Sequence, residues 1–263
     1  MMHYTGDITY DNCLTIALGL AAITAFAAPF VPSSYGRFSS EKFGLRLDPR
    51  LGWLLMELPA TLSFWYFYPR GKNAFDTVPL IFAGVWAFHY LNRGFVFPLS
   101  IRVPKGQRGS FSLFVIVIGW VVTSLHGYLN ARYFSEFGTY TTAWLTDPRF
   151  LVGAPLYVIS MALNIHSDAI LRNLRTKEEV RQGIKEYRLP RGGLFRWVSS
   201  PSYFAELCAW TGFALATWSM SGVFILAISA ANLIPRAYTT HRWYKERFPD
   251  YPKERKALIP WVW

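Results

Sequence analysis

Seven apolar runs alternate with polar stretches along this chain, each close to the ~20 residues a helix needs to cross a bilayer. They fall at about 11–32, 51–68, 78–99, 111–130, 151–171, 203–220 and 222–240. Hydrocarbon offers no partner for backbone N–H and C=O groups, so such runs must bond internally as helices. The expected fold is an all-α integral membrane protein with seven transmembrane helices, forming one membrane-embedded domain over 1–263. The sixth and seventh runs meet at a tight turn near Ser219–Gly222. Pro59 should kink the second, and neighbouring groups must then satisfy the carbonyl it frees. Composition agrees: 16% of residues are charged, against roughly 25% in ordinary globular proteins. No internal repeat is visible, which weakens a transporter reading.

The net charge of +11 taken alone would suggest a nucleic-acid partner. Its distribution argues otherwise, because the basic residues lie between the apolar runs. Loop 33–50 carries Arg37, Lys42, Arg46 and Arg50, and loop 100–110 carries Arg102, Lys105 and Arg108. Stretch 172–202 and the segment from 236 are richer still, and the four together hold 22 of the 27 Lys and Arg. Seven spans with the N-terminus outside and the C-terminus cytosolic put every rich segment in the cytoplasm. Stretch 172–202 should then fold over the cytosolic face. The opening MMHYTGDITYD is acidic and lacks the basic region of a signal peptide. Cys13 and Cys208 both sit in apolar segments and read as packing thiols. No metal site is expected, since the five histidines show neither HExxH nor Cys-pair spacing. Gly192-Gly193, after Pro190-Arg191, reads as a turn.

Ionisable groups at membrane depth mark candidate sites. Glu57 is the one charge of the second run, and the third holds His89, Tyr90 and Arg93. The fifth ends Asn164-Ile-His166-Ser-Asp168, the sixth holds Glu206 and the seventh ends near Arg236. Counting ~1.5 Å per residue puts Glu57 roughly 9 Å and Tyr90 roughly 13 Å from the cytosolic face. The pattern is a cavity open to the cytosol with Glu57 and Tyr90 at its floor. Asn164, Asp168 and Arg175 fall within about 40° of one helix face. There an amide, a carboxylate and a guanidinium suit a carboxamide, ribose hydroxyls and phosphate. Ordinary roles compete: Arg93 and Arg236 as snorkelling cations, His89 and Tyr90 as core residues, and Asp168 with Arg172 as an intrahelical pair.

These residues resemble the steroid 5α-reductase family. The likeness is carried by Asn164-Ile-His-Ser-Asp168, Leu171-Arg-Asn-Leu-Arg175, Tyr187-Arg-Leu-Pro-Arg-Gly-Gly-Leu-Phe195, Ala214-Leu-Ala-Thr-Trp-Ser219 and Asp250-Tyr-Pro-Lys-Glu-Arg-Lys-Ala-Leu-Ile-Pro260. Glu57-Leu-Pro59 and His89-Tyr90 with Arg93 add to it upstream. The resemblance implies a seven-helix reductase that uses NADPH on the C4=C5 bond of a 3-oxo-Δ4 steroid or similar lipid enone. It implies that Glu57 and Tyr90 hold the C3 carbonyl, with Trp53, Met56 and Arg93 on the substrate side. Residues 1–110 would form the substrate pocket and 150–263 the cofactor region. There Asn164, Asp168, Arg175, Tyr187, Arg188, Glu206, Arg236, Tyr244 and Arg255 would bind or frame NADPH, and Arg102 matches more loosely. Three positions depart from the family pattern: Met56 stands for a Gln, Ser202 for an Asn, and Thr240 for a His, with His241 following. The expected setting is multi-pass, in a bacterial inner membrane or the endoplasmic reticulum. A bacterial member is one expectation, and no nucleic acid or obligate protein partner is implied.

Conjugate reduction of an enone builds negative charge on the carbonyl oxygen, and donors aimed there lower the barrier. Tyr90 can donate, as can Glu57 when protonated. The rival readings are a membrane methyltransferase using S-adenosylmethionine, suggested by Ser200-Pro-Ser-Tyr203 with Glu206, a reductase of another sterol double bond, and a non-catalytic transporter or lipid-binding protein.

Overall fold

The computed structural model describes residues 4–30, 44–104, 109–184 and 186–263, and most of these are helical. The helices are α1 (Ile8–Ala27), α2 (Pro49–Phe67), α3 (Thr77–Tyr90), α4 (Phe97–Ser100), α5 (Leu113–Arg132), α6 (Pro148–Asn173), α7 (Lys177–Arg181), α8 (Pro201–Thr217) and α9 (Met220–Arg247). Local chemistry sets their starts. Asp7, Asp48, Ser112, Asp147 and Ser219 accept backbone N–H groups in the first turns of α1, α2, α5, α6 and α9. Pro49, Pro148 and Pro201 open α2, α6 and α8, where a missing N–H costs nothing. Trp218, with φ of 46°, ends α8 in a left-handed cap, and Ser219 starts α9 at the expected tight turn.

Among the described residues, each of the seven expected runs is mostly helical. Four segments are long and apolar enough to cross a membrane: Ile8–Ala27, Leu113–Phe137, Pro148–Asn173 and Met220–Arg247. Two features depart from the expectation of uninterrupted helices. The two-residue strands β1 (Arg46–Leu47) and β2 (Phe111–Ser112) pair antiparallel, joining the loops before α2 and α5. The third run is broken: α3 gives way to a π-helical turn, Leu91–Val96, before α4. Phe97 N–H bonds back to Asn92, five residues away, and Pro98 has no N–H with which to continue an α ladder. Among the residues that orient the chain, Arg37, Lys42, Lys105, Arg108 and Lys185 lie outside the described residues, as do 31–32 of the first run.

Pro59 leaves the Leu55 carbonyl without its helical donor. Trp120 Nε1 on α5 donates to that oxygen at 2.7 Å, and Thr123 Oγ1 donates to Met56 O at 3.2 Å. The ladder that Pro59 interrupts is thus completed by the neighbouring helix. The α6–α8 contact relies on absent side chains: a Cβ on Gly153 would meet Gly212 O at 2.6 Å, and one on Gly212 would meet Gly153 O at 2.6 Å. Such close backbone approach replaces the hydrophobic drive that lipid cannot supply. Aromatic rings fill the centre, with Phe64 stacked on Trp86 at 4.5 Å and packed near Phe134 and Tyr68. The final segment folds back, with Ser199 N–H donating to Lys256 O at 2.9 Å and Lys256 N–H to Trp197 O at 2.8 Å.

Candidate functional site

A cavity of about 790 Å³ opens between α2, α4, α6, α8, α9 and the 186–203 segment. Arg93, carried on the π-helical turn, lies on its wall. Its guanidinium stands 3.9 Å from Asp168 Oδ2 and 3.6 Å from Glu206 Oε2, and 4.6 Å from the ring centres of Trp53 and Phe97. The second layer is bonded in turn. Ser202 Oγ donates to Asp168 Oδ1 at 2.6 Å, and Asn164 Nδ2 donates to the Ser202 carbonyl at 2.8 Å. Asp168 therefore pairs across helices with Arg93. Asn164, one turn deeper on α6, positions Ser202 and is not part of the lining.

The outer wall is basic. Arg102 donates to the carbonyls of Arg172 (3.2 Å) and Arg175, tying the segment after α4 to the end of α6. Arg175 Nε donates to Glu186 O at 3.2 Å, and its guanidinium lies 5.2 Å from the Tyr187 ring centre. Arg188 donates to Leu174 O at 2.9 Å and forms ion pairs with Glu186 and Glu179. Arg188 beside it, helped by the Thr176 N–H, holds the Glu179 carboxyl down at about 2. Arg236 and Tyr244 complete the expected members of the lining. Arg46, Ser199 and Trp243, which sequence reasoning did not select as site residues, also line it, as do Ser200 and Tyr203 of the methyltransferase-like element, Thr240 at the family's His position and Arg172. Arg46 Nη2 and Ser200 Oγ are buried and have no hydrogen-bond partner among the described residues.

Glu57 and Tyr90, expected at the cavity floor, are buried at 9% and 4% exposure and are not part of its lining. They meet at Gly94: a Cβ there would stand 3.7 Å from Glu57 Cβ and 4.0 Å from Tyr90 Cδ1. His89 points elsewhere, with Nδ1 3.3 Å from the Tyr157 hydroxyl. Met56 faces α5, packed on Gly119. His241 sits behind the wall, its Nδ1 2.7 Å from Ser199 Oγ and 3.0 Å from the Tyr251 hydroxyl. Arg255 lies outside the cavity, against the Tyr251 ring.

The arrangement divides into two chemical zones. The open zone offers arginines for phosphates and a carboxylate–hydroxyl pair, Asp168 and Ser202, for sugar hydroxyls. Its orphaned Arg46 and Ser200 atoms need an outside acceptor or donor, and a phosphate-bearing dinucleotide fits that need. The closed zone offers two buried side chains able to hydrogen-bond, Glu57 and Tyr90, both beside Gly94. No group of three or more His, Cys, Asp or Glu able to hold a metal occurs among the described residues. Cys13 and Cys208 are free thiols.

Comparison with known proteins identifies the family. A family model described as 3-oxo-5-alpha-steroid 4-dehydrogenase matches residues 109–263. The chain is 42% identical to 3-oxo-5-alpha-steroid 4-dehydrogenase 1 of Mus musculus, over 96% of this chain and 98% of that relative. It is 37% identical to the Homo sapiens protein of the same description, over 88% and 86%. A steroid 5-alpha-reductase of Gossypium hirsutum is 35% identical over 97% of both. These relatives are mammalian and plant, and they lend no support to a bacterial origin.

Proposed function

The chain belongs to the 3-oxo-5-alpha-steroid 4-dehydrogenase family, and on that premise we propose that it reduces the C4=C5 bond of a 3-oxo-Δ4 steroid, or a similar lipid enone, with NADPH. The reading rests on one juxtaposition: Glu57 and Tyr90 both approach Gly94, which shares a turn with the cavity-lining Arg93. Bound in that cavity, NADPH would supply the hydride. Arg102, Arg175, Arg188 and Arg236 would hold its phosphates, and Asp168 with Ser202 a ribose. Tyr90 and a protonated Glu57 donate to the substrate's C3 oxygen, where charge builds as C5 is reduced. Arg93, fixed between Asp168 and Glu206, separates the two zones and keeps a cation near the reacting oxygen.

The topology we propose has seven spans, with α2, the α3–α4 pair and α8 joining the four longer helices. The N-terminus is outside and the cavity faces the cytosol. The basic segments support this orientation. An apolar substrate then enters from the bilayer while the charged cofactor enters from water.

The test is single-turnover NADPH oxidation with a 3-oxo-Δ4 steroid. Tyr90→Phe and Glu57→Leu should each slow the step by ~10²–10³ with NADPH affinity unchanged. The double variant should lose less than the product of the two, because both groups act on one oxygen. Glu57→Gln, which can still donate, should be milder than Glu57→Leu. Wild-type rates in Tyr90→Phe and Glu57→Leu would remove this pair from the reaction. Binding of S-adenosylmethionine in place of NADPH would reinstate the methyltransferase reading.

A further inference from the structure

A second cavity, of about 680 Å³, lies on another face of α6. It shares no lining residue with the first. Leu163, His166 and Ser167 come from α6, one side is closed by the loop around Arg191, Arg196 and Trp197, and the other by Pro252 with Arg255. Three guanidinium groups line it, and among the described residues no carboxylate does.

Arg255 is the telling member. It is 4% exposed, yet its Nε and Nη1 have no hydrogen-bond partner among the described residues. The Tyr251 ring lies 5.3 Å from the guanidinium and leaves those N–H groups unanswered. Burial lowers its pKa, but a guanidinium stays charged through ordinary pH. A buried charge of this kind calls for an anion. Arg191 is already held by Asp250 at 2.6 Å, whereas Arg196 is exposed. Gly193, with φ of +50°, brings the loop down on His166: a Cβ there would stand 3.3 Å from His166 Nε2.

The surroundings say what carries the anion. Ile159, 59% exposed, precedes Leu163 and His166 by four and seven residues on the same face of α6. So an exposed apolar stripe of a membrane-length helix runs into a basic cavity. Trp197 and Trp261 pack with ring centres 5.6 Å apart, and Trp261 is 74% exposed. Exposed tryptophan marks the level of the lipid headgroups.

We propose that this cavity binds the phosphate of an anionic membrane phospholipid, with Arg255, Arg196 and His166 as donors and the acyl chains along Ile159 and Leu163. The same donors would accept free phosphate, but the apolar stripe favours a lipid. The proposal does not depend on the reductase reading. It makes the lipid a ligand that seats the folded-back segment near Lys256 against the 197–199 strand.

The test follows the thermal midpoint of the full chain in detergent during titration with short-chain phosphatidylglycerol, short-chain phosphatidylcholine or inorganic phosphate. Phosphatidylglycerol should raise the midpoint saturably, and the other two should raise it far less at equal concentration. Arg196→Ala should weaken the apparent affinity about 5-fold and Arg196→Glu should abolish the effect. Arg255→Gln should weaken it more, and if that variant does not fold, the Arg196 pair decides alone. Arg70→Ala, distant from the cavity, should titrate as wild type. Saturating NADPH should leave the lipid titration unmoved. An equal rise with phosphatidylcholine, an equal rise with phosphate alone, or unaltered titration in Arg196→Glu would each overturn the proposal.

Discussion

Replacing Arg93 with methionine isolates what this residue does for the folded chain. The side chain keeps a polarisable contact with Trp53 and loses the charge together with its N–H donors. Arg93 faces two carboxylates, at 3.9 and 3.6 Å, and all three side chains are 14–16% exposed. Opposite charges ~4 Å apart attract by ~4 kcal/mol at an effective dielectric near 20, and desolvation offsets much of that. Breaking a buried ion pair by removing one member leaves the other uncompensated and costs ~3–5 kcal/mol. Partial exposure puts this case near the lower end, about 3 kcal/mol. For a chain of this size that is a midpoint lower by ~6–12 °C. Adding Glu206→Gln removes one stranded charge and should recover about half of the loss, a coupling that independent sites would not show. The assay is the loss of the monodisperse peak on size exclusion after heating in detergent, without cofactor. A midpoint for Arg93→Met within ~2 °C of wild type would refute the reasoning, as would a double variant no more stable than the single.

Asp168→Ala and Arg175→Ala should weaken NADPH binding far more than steroid binding, checked by titrating each ligand in detergent, and unchanged NADPH affinity in both would dissolve the proposed cofactor face. Trp120→Phe orphans the Leu55 carbonyl and should cost ~1–3 kcal/mol. In a Pro59→Ala background residue 59 regains its N–H, so the same change should be nearly silent in thermal midpoint. Glu179, held down at about 2 from an ordinary 4.5, stabilises the segment from Thr176 to Arg188 above pH 4.5 and loses that effect as pH falls toward 2. Limited proteolysis of this segment should therefore match between pH 7 and 5 and rise at pH 3, whereas Glu179→Gln should be susceptible throughout.

Local signals in the chain carried most of the architecture. Asp-Pro at 48–49 and 147–148 announces helix starts, and Ser219 announces the last turn, because capping depends only on neighbours in sequence. Glu57, Arg93, Asp168 and Glu206 were legible by depth, since charge inside an apolar run needs a reason. What escaped depends on how helices face each other. Met56 adjoins Glu57 in sequence but turns to the bare backbone of Gly119, and nothing in residues 50–60 states which helix will lie there. Ser199 and Ser200 line the cavity where the Lys256 segment pairs with residues 197–199, a pairing across more than fifty residues. Arg255 was assigned to the cofactor by resemblance. Its surroundings in the fold put it on the other cavity.

The π-helical turn at Leu91–Val96 is a helix carrying one residue more than its ladder requires. Such turns are what a one-residue insertion leaves behind. Deleting the extra residue would let the ladder close as α with Phe97 still bonded to Asn92, so the helix on either side would keep its facing. His89 and Tyr90 upstream and Pro98 downstream would hold their directions, and only the turn that carries Arg93 would change. The segment therefore works as a heritable insert: a lineage can gain or lose the turn that presents this guanidinium to the cavity without re-aiming its neighbours.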